Sequence, residues 1–255
     1  MINYIIILVA SVLAGATNSI AGGGTLITFP ALLWVGVTPL SANITNTVAL
    51  WTGSFFGALG FKEKLYQTKE LLKFLTLPSL IGGILGAYLL IITSNKIFDF
   101  IVPFLVLFAT IILALSDKIK NINEKNFKKS QKNYRILIFI LQFFTSLYGG
   151  YFAAGIGILM LAVLGIAGVS DIHLSNGIKN ILSLFINITS GIVLIFSGKV
   201  LWVYAAVLMV GFAFGGYLGA VISQKFDSRK VKNFVILWGI ILAVAFLIKN
   251  VISGG

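Results

Sequence analysis

Hydrophobic residues make up 58% of the 255-residue chain and charged residues only 10%, with a mean hydropathy of +1.04. That balance excludes a soluble globular domain and fits a protein whose solvent is lipid. The formal charge of +12 is no nucleic-acid signature, because the basic residues fall between apolar runs, and the lack of cysteine excludes disulfides, thiolate metal sites and cysteine nucleophiles.

The first predicted element, 3–20, opens without a basic leader, so MINYIIILVASVLAG reads as a retained helix and not a cleaved signal peptide. It ends in NSIAGGGTLITFP, from Asn18 to Pro30, where three successive glycines unwind a run otherwise suited to a span. The second element, 25–36, has about 12 residues, or ~18 Å of helix, too short to cross a hydrocarbon core of roughly 30 Å. Thr38-Pro39 starts the third element, 39–60, with proline at the first helical position. Elements at 71–92 and 97–115 complete a set of five.

A second set follows at 135–151, 157–168, 173–197, 200–223 and 230–251, and it repeats the first. GGILGAYLL from Gly82 and GGYLGAVIS from Gly215 are identical at five positions, offset by 133. At the same offset AGGGTLI from Ala21 lies on AGIGILM from Ala154, pairing Gly22 with Gly155 and Gly24 with Gly157. NITNTVAL from Asn43 lies on GIKNILSL from Gly177 one residue out of step, pairing Asn46 with Asn180. The chain divides into a first repeat, 1–117, a basic cytoplasmic linker, 118–134, and a second repeat, 135–255.

Loop charge sets the orientation. Segments 61–73, 116–135 and 224–232 hold four, seven and four basic residues, and placing them inside leaves only Lys96, Lys199 and Lys249 outside. That 15-to-three split makes the halves inverted; a same-direction duplication gives 13 against five, so inversion rests mainly on one loop. Inversion requires an odd number of spans per half. The first two elements of each half therefore form a re-entrant hairpin with the glycines at its tip, tolerated only where buried in protein or lining a watery cavity. The expected fold is an all-α polytopic membrane protein of two homologous, inverted halves. Each half holds a broken hairpin and three transmembrane helices, about eight spans by the usual count.

A half-helix that starts at depth points N–H groups and a partial positive charge beyond its tip. Two such tips, at Gly22, Gly23, Gly24 and Thr25 and at Gly155 and Gly157, would converge on an anionic substrate group. Gly82, Gly83 and Gly86, with Gly215, Gly216 and Gly219, read instead as close-packing residues of a membrane bundle. Asn176, Asn180, Ser183, Asn187 and Ser190 make a polar stripe on the eighth element, and Asn43, Asn46, Gly53, Ser54 and Gly57 a weaker one on the third. Such stripes serve either interhelical hydrogen bonds or a substrate path. Lys179 lies about 9 Å into its helix, where it either snorkels to the interface or neutralises an anion. All seven carboxylates lie in loops or near helix ends, Asp171 as a helix cap, so the depth of the chain suits an anion and not a cation. Trp202 and Tyr204 beside Lys199 read as interfacial anchors.

At AGGGTLITFPALLWVGVTPLSANITNTVALWTG from Ala21, NGIKNILSLFINITSG from Asn176 and GGYLGA from Gly215, the chain resembles the TauE/SafE family of bacterial and plant membrane transporters. The likeness covers essentially the whole chain, duplication included, although the second glycine motif, AGIGI, departs from AGGGT. The resemblance implies a carrier of sulfur-containing anions, chiefly an exporter of sulfite and organosulfonates such as sulfoacetate, and thiosulfate is expected beside them as a small sulfur oxyanion. It implies a multi-pass protein of a bacterial cytoplasmic membrane, with no cofactor or metal and with a small anion and the lipid bilayer as partners. The substrate-binding set is then Gly22, Gly23, Gly24, Thr25, Asn46, Gly155, Gly157, Asn176, Lys179 and Asn180.

A passive anion channel would share every one of these features. An intramembrane enzyme fits less well, because the lone His173 stands near a helix start without a nucleophile motif. The sequence sets neither the oligomeric state nor the coupling ion. Its orientation is testable, since a chain without cysteine can carry single reporters. Impermeant thiol reagents on intact cells should label Ser197→Cys and spare Ser228→Cys; labelling at position 228 would indicate parallel halves.

Overall fold

A computed structural model describes residues 1–20, 22–62, 68–126, 131–169 and 171–223, with positions 237, 240 and 241 beyond them. These residues form nine helices and no strand. The first five are α1 (Ile2–Ile20), α2 (Thr25–Trp34), α3 (Pro39–Gly60), α4 (Lys69–Ile92) and α5 (Asn95–Asn126). The next four are α6 (Gln131–Tyr151), α7 (Ile156–Ile166), α8 (Ile172–Ile195) and α9 (Trp202–Ser223).

Four of them, α1, α4, α8 and α9, with 19, 24, 24 and 22 residues, are long and apolar enough to cross a membrane. The two short elements are short as expected: α2 has 10 residues and α7 has 11. One boundary differs. The fifth element, expected to stop at 115, runs on as helix to Asn126, and α6 starts at Gln131 inside the expected linker. No glycine or proline follows Pro103 before Asn126, so charge ends the apolar run there without ending the helix. The expected tenth element, 230–251, and the basic segment 224–232 lie outside the described residues except at the three isolated positions.

The bundle is apolar outside, and its interior combines an apolar core with a set of buried polar side chains. Phe100 and Phe214 are each 65% exposed, whereas Asn43, Asn46, Ser54, Asn180, Asn187 and Ser190 are buried. Lipid tails are as apolar as leucine, so helices associate through close packing and interhelical hydrogen bonds. Here small residues supply the close packing. α1 lies along α9 at Gly15, Gly211, Gly215 and Gly219, and α6 lies along α4 at Gly82, Gly86 and Gly150. Gly216 meets the Gly53 backbone of α3, and Gly83 meets the Ile186 backbone of α8, each contact displaced from the other by the repeat offset of 133. The first helix of each set therefore packs on the fourth helix of the other. At the start of α9, Trp202 is exposed and the Tyr204 ring lies tilted against Tyr4 with ring centroids 5.7 Å apart.

α3 and α8 cross at the centre of the molecule and run antiparallel. Val48 faces Gly191, Gly57 faces Asn180, and between them Asn187 Nδ2 donates to Ser54 Oγ at 3.1 Å. Both run alongside the opposite fourth helix, so the polar stripes are enclosed by protein.

The glycine contacts predict a graded response to one added methyl group. A Cβ at Gly82 would stand 2.7 Å from the Phe143 carbonyl oxygen, whereas at Gly191 the nearest atom is 3.7 Å away. Gly82→Ala should lower the thermal unfolding midpoint of purified protein, at a cost of about 1–3 kcal/mol for overpacking, and Gly191→Ala should leave it unchanged.

Candidate functional site

Two helix breaks meet in this structure. Between α1 and α2 the chain turns at Gly22 and Gly23, with φ of +79° and +90°; between α6 and α7 it turns at Gly155, with φ +78°. An L side chain in that left-handed region costs roughly 1–2 kcal/mol, which is why glycine stands there. A Cβ added at Gly22 would lie 2.9 Å from Gly157 Cα, so the two breaks touch backbone to backbone. α2 and α7 start there at Gly24 and Gly155 without a side-chain cap. By contrast, α8 is capped as expected by Asp171, whose carboxylate accepts from His173 N at 2.8 Å and Leu174 N at 3.3 Å.

The helix ends at the breaks are held from the opposite half. The Lys179 ammonium of α8 donates to Asn18 O at 2.7 Å and Ser19 O at 3.0 Å, the last carbonyls of α1, and to Asn176 Oδ1 at 2.9 Å. A cation at a helix C-terminus is stabilised by the partial negative charge there. Asn43 Nδ2 of α3 does the equivalent work at α6, donating to Tyr151 O at 2.8 Å, and Tyr148 Oη donates to Ala154 O at 2.9 Å. Tyr151 follows Asn18 by the repeat offset of 133. The starts of α3 and α8, Pro39 and Ile172, are also 133 apart, so in helix register Asn43 corresponds to Asn176 and Asn46 to Lys179. Sequence identity had matched Asn46 to Asn180, because asparagine aligns with asparagine more readily than with lysine.

Asn46 anchors the first turns of α2. Its Oδ1 accepts from Thr28 Oγ1 at 2.6 Å and its Nδ2 donates to Thr25 Oγ1 at 3.2 Å. Asn180 is different. Its side chain is 1% exposed, its Nδ2 has no hydrogen-bond partner, and that nitrogen would be 2.9 Å from a Cβ on Gly57, beside the Ser19 hydroxyl. A buried unpaired donor costs about 1–3 kcal/mol.

The ten residues singled out in the sequence thus fall into two adjoining groups and two outliers. Gly22, Gly157, Asn176, Lys179 and Asn180 gather where the breaks meet and α1 ends. Thr25 and Asn46 form the neighbouring group, with Gly23 supplying the turn between the two. Gly24 packs on Ala14 and Asn18 of α1, and Gly155 faces Ala109 of α5. Absent from that set are the carbonyls of Asn18 and Ser19, the Thr28 hydroxyl and the Tyr148 hydroxyl. Of these, only Thr28 had a signal, a hydroxyl one turn after Thr25 on a helix of otherwise apolar residues. The polar stripes serve interhelical bonding at Ser54 and Asn187, while Ser190 bonds to Ile186 O in its own helix. A groove of about 280 Å³, lined by Val48, Trp51, Asn187, Gly191, Trp202 and Met209, lies beside the Ser54–Asn187 pair.

The profile of the family described as "Sulfite exporter TauE/SafE" matches residues 7–246. A "Probable membrane transporter protein ORF9" of Sinorhizobium is 28% identical over 245 residues, covering 94% of this chain and 90% of the relative. A "Probable membrane transporter protein" of Haemophilus influenzae is 26% identical over 225 residues, covering 88% and 86%. The "Probable membrane transporter protein YunE" of Bacillus subtilis is 23% identical over 273 residues, covering 98% and 100%. No solved structure matches the chain significantly.

The Asn46 arrangement predicts coupling that a thermal-unfolding cycle can read. Asn46→Leu strands the Thr25 and Thr28 hydroxyls and should cost about 1–3 kcal/mol. Thr28→Val should be markedly less harmful on top of Asn46→Leu than alone. Strict additivity would mean that the Asn46–Thr28 bond contributes nothing.

Proposed function

The chain belongs to the sulfite exporter TauE/SafE family, and we propose that it carries a small sulfur-containing anion outward across the bacterial cytoplasmic membrane. It is a multi-pass membrane transporter and not an enzyme. Sulfite, thiosulfate or an organosulfonate such as sulfoacetate is the proposed cargo. The sulfur centre and the outward direction rest on the family description.

The observation that carries the anion reading is the Asn180 amide nitrogen, buried without a partner beside two touching helix breaks. Donors at that place favour an acceptor-rich ligand. The uncapped starts of α2 and α7 add N–H groups and the positive ends of two helix dipoles. Lys179 adds a full positive charge, although its hydrogen bonds in this state go to Asn18, Ser19 and Asn176. A sulfonate head presents three oxygens to such donors, more than a carboxylate.

In this reading Gly22, Gly23, Gly24, Thr25, Asn46, Gly155, Gly157, Asn176, Lys179 and Asn180 frame the substrate. Gly24 and Gly155 do so through backbone shape, by letting the breaks pack against α1 and α5. The halves are read as inverted, each a re-entrant hairpin plus three spans. The antiparallel run of α3 and α8, which are equivalent by the repeat offset, supports this. Gly22 and Gly157 are in contact, so an anion enters only when the breaks part. That opening and closing is the alternating step expected of a carrier with a site at its repeat interface.

Calorimetry on purified protein at matched ionic strength tests the assignment. Sulfite, thiosulfate or a sulfonate should bind at least about tenfold more tightly than acetate or lactate, the factor that ~1.4 kcal/mol represents. Gly23→Val, a β-branched side chain where φ is +90°, should weaken that binding and also lower the unfolding midpoint. In proteoliposomes, saturation and counterflow identify a carrier, and their absence a channel. Equal affinity for carboxylates, or preference for a cation, removes the sulfur-anion assignment.

A further inference from the structure

The place held by the Lys179 ammonium has the chemistry of a cation site. Among the described residues three oxygens converge on it: two main-chain carbonyls from the end of α1 and one side-chain amide oxygen, at 2.7, 3.0 and 2.9 Å. Carbonyls released by a helix that unwinds at depth are the donors that membrane transporters offer to small monovalent cations. Hard cations take such neutral oxygens, and the α1 terminus adds partial negative charge. The surroundings are closed: Asn176, Lys179 and Ser19 are all buried. The ammonium reaches this place on a stem that passes the other break, its Cδ only 3.2 Å from where a Cβ on Gly157 would stand.

We propose that Lys179 is a built-in cation. Its tethered ammonium fills a monovalent-cation site formed by Asn18 O, Ser19 O and Asn176 Oδ1, and truncating the side chain converts that place into a site for a free cation. The ammonium bonds all three oxygens, so the lysine serves the broken end of α1 without drawing an ion from solution. A carrier built this way needs no exchangeable cation at the break. The inference stands whichever anion is carried, because it concerns the carbonyl end of the break and not the N–H starts.

The test uses the full chain in detergent at constant ionic strength. Lys179→Ala, purified and held in choline, is titrated with methylammonium, ethylammonium, sodium and potassium while its thermal unfolding midpoint is followed. A small ammonium or alkali cation should raise the midpoint by about 5 °C or more at 100 times its dissociation constant. Wild type should not respond, and neither should Lys179→Met, which keeps the stem volume and leaves no room. An unfolding midpoint of Lys179→Ala that is the same in every cation overturns the proposal, as does an equal rise in Lys179→Met. If Lys179→Ala is recovered only when cells and buffers contain the small cation, that supports it. Recovery in no cation counts against it, because a true cation site would be refilled from solution. Since no anion enters the measurement, its failure leaves the anion-binding titration to be decided separately.

Discussion

A helix whose end is buried in protein leaves its last carbonyls without water, and an unsatisfied group there costs several kcal/mol. The hydrogen bonds from Lys179 to Asn18 O and Ser19 O meet that cost at the end of α1. They also bring a charge to a place where it is stabilised on arrival, at the negative end of a helix dipole. A buried lysine, costly alone, and a helix end buried away from water, costly alone, become acceptable together. At the end of α6 Asn43 bonds the Tyr151 carbonyl without a charge, and Tyr148 bonds Ala154 O within the break.

Because each broken end is bonded by a helix of the opposite half, neither half can be completed by itself. The packing follows the same logic, with α1 on α9 and α6 on α4, both through glycine contacts that leave no room for a side chain. The central Ser54–Asn187 bond lies where α3 and α8 cross. The result is a frame tied across the middle. Within it the carbonyls of Asn18, Ser19, Tyr151 and Ala154 accept side-chain hydrogen bonds, the starts of α2 and α7 carry no side-chain cap, and Asn180 Nδ2, like the amide oxygens of Asn43 and Asn187, has no partner. In the proposed function the Asn180 donor and the positive starts of α2 and α7 draw the anion, which has to part Gly22 from Gly157 to reach them.

Much of this was legible in the chain. Three glycines mark a break because their helix propensity is poor whatever surrounds them, and the 10 and 11 residues of α2 and α7 follow from the spacing of Gly24, Gly36, Gly155 and Gly168. The paired glycines of α4 and α9 read correctly as packing, since small residues at a repeat of three or four have that use in lipid. Asp171 read correctly as a cap for the equally local reason that its carboxylate reaches N–H groups two and three residues on. The partners of Lys179 were not legible. Its depth and charge are sequence properties, but backbone carbonyls carry no residue signature and Asn18 lies 161 positions away. The length of α5 was missed because apolar periodicity reports where lipid ends, not where hydrogen bonding ends.

The most direct test of the account is a structure of the protein solved with a selenium-containing analogue of the oxyanion, located by its anomalous signal. The account predicts a single peak between the two breaks, within hydrogen-bond distance of Asn180 Nδ2 and the first turns of α2 and α7, with Gly22 and Gly157 moved apart. A peak confined to the groove beside Trp51 and Trp202, with the breaks still in contact, would contradict it.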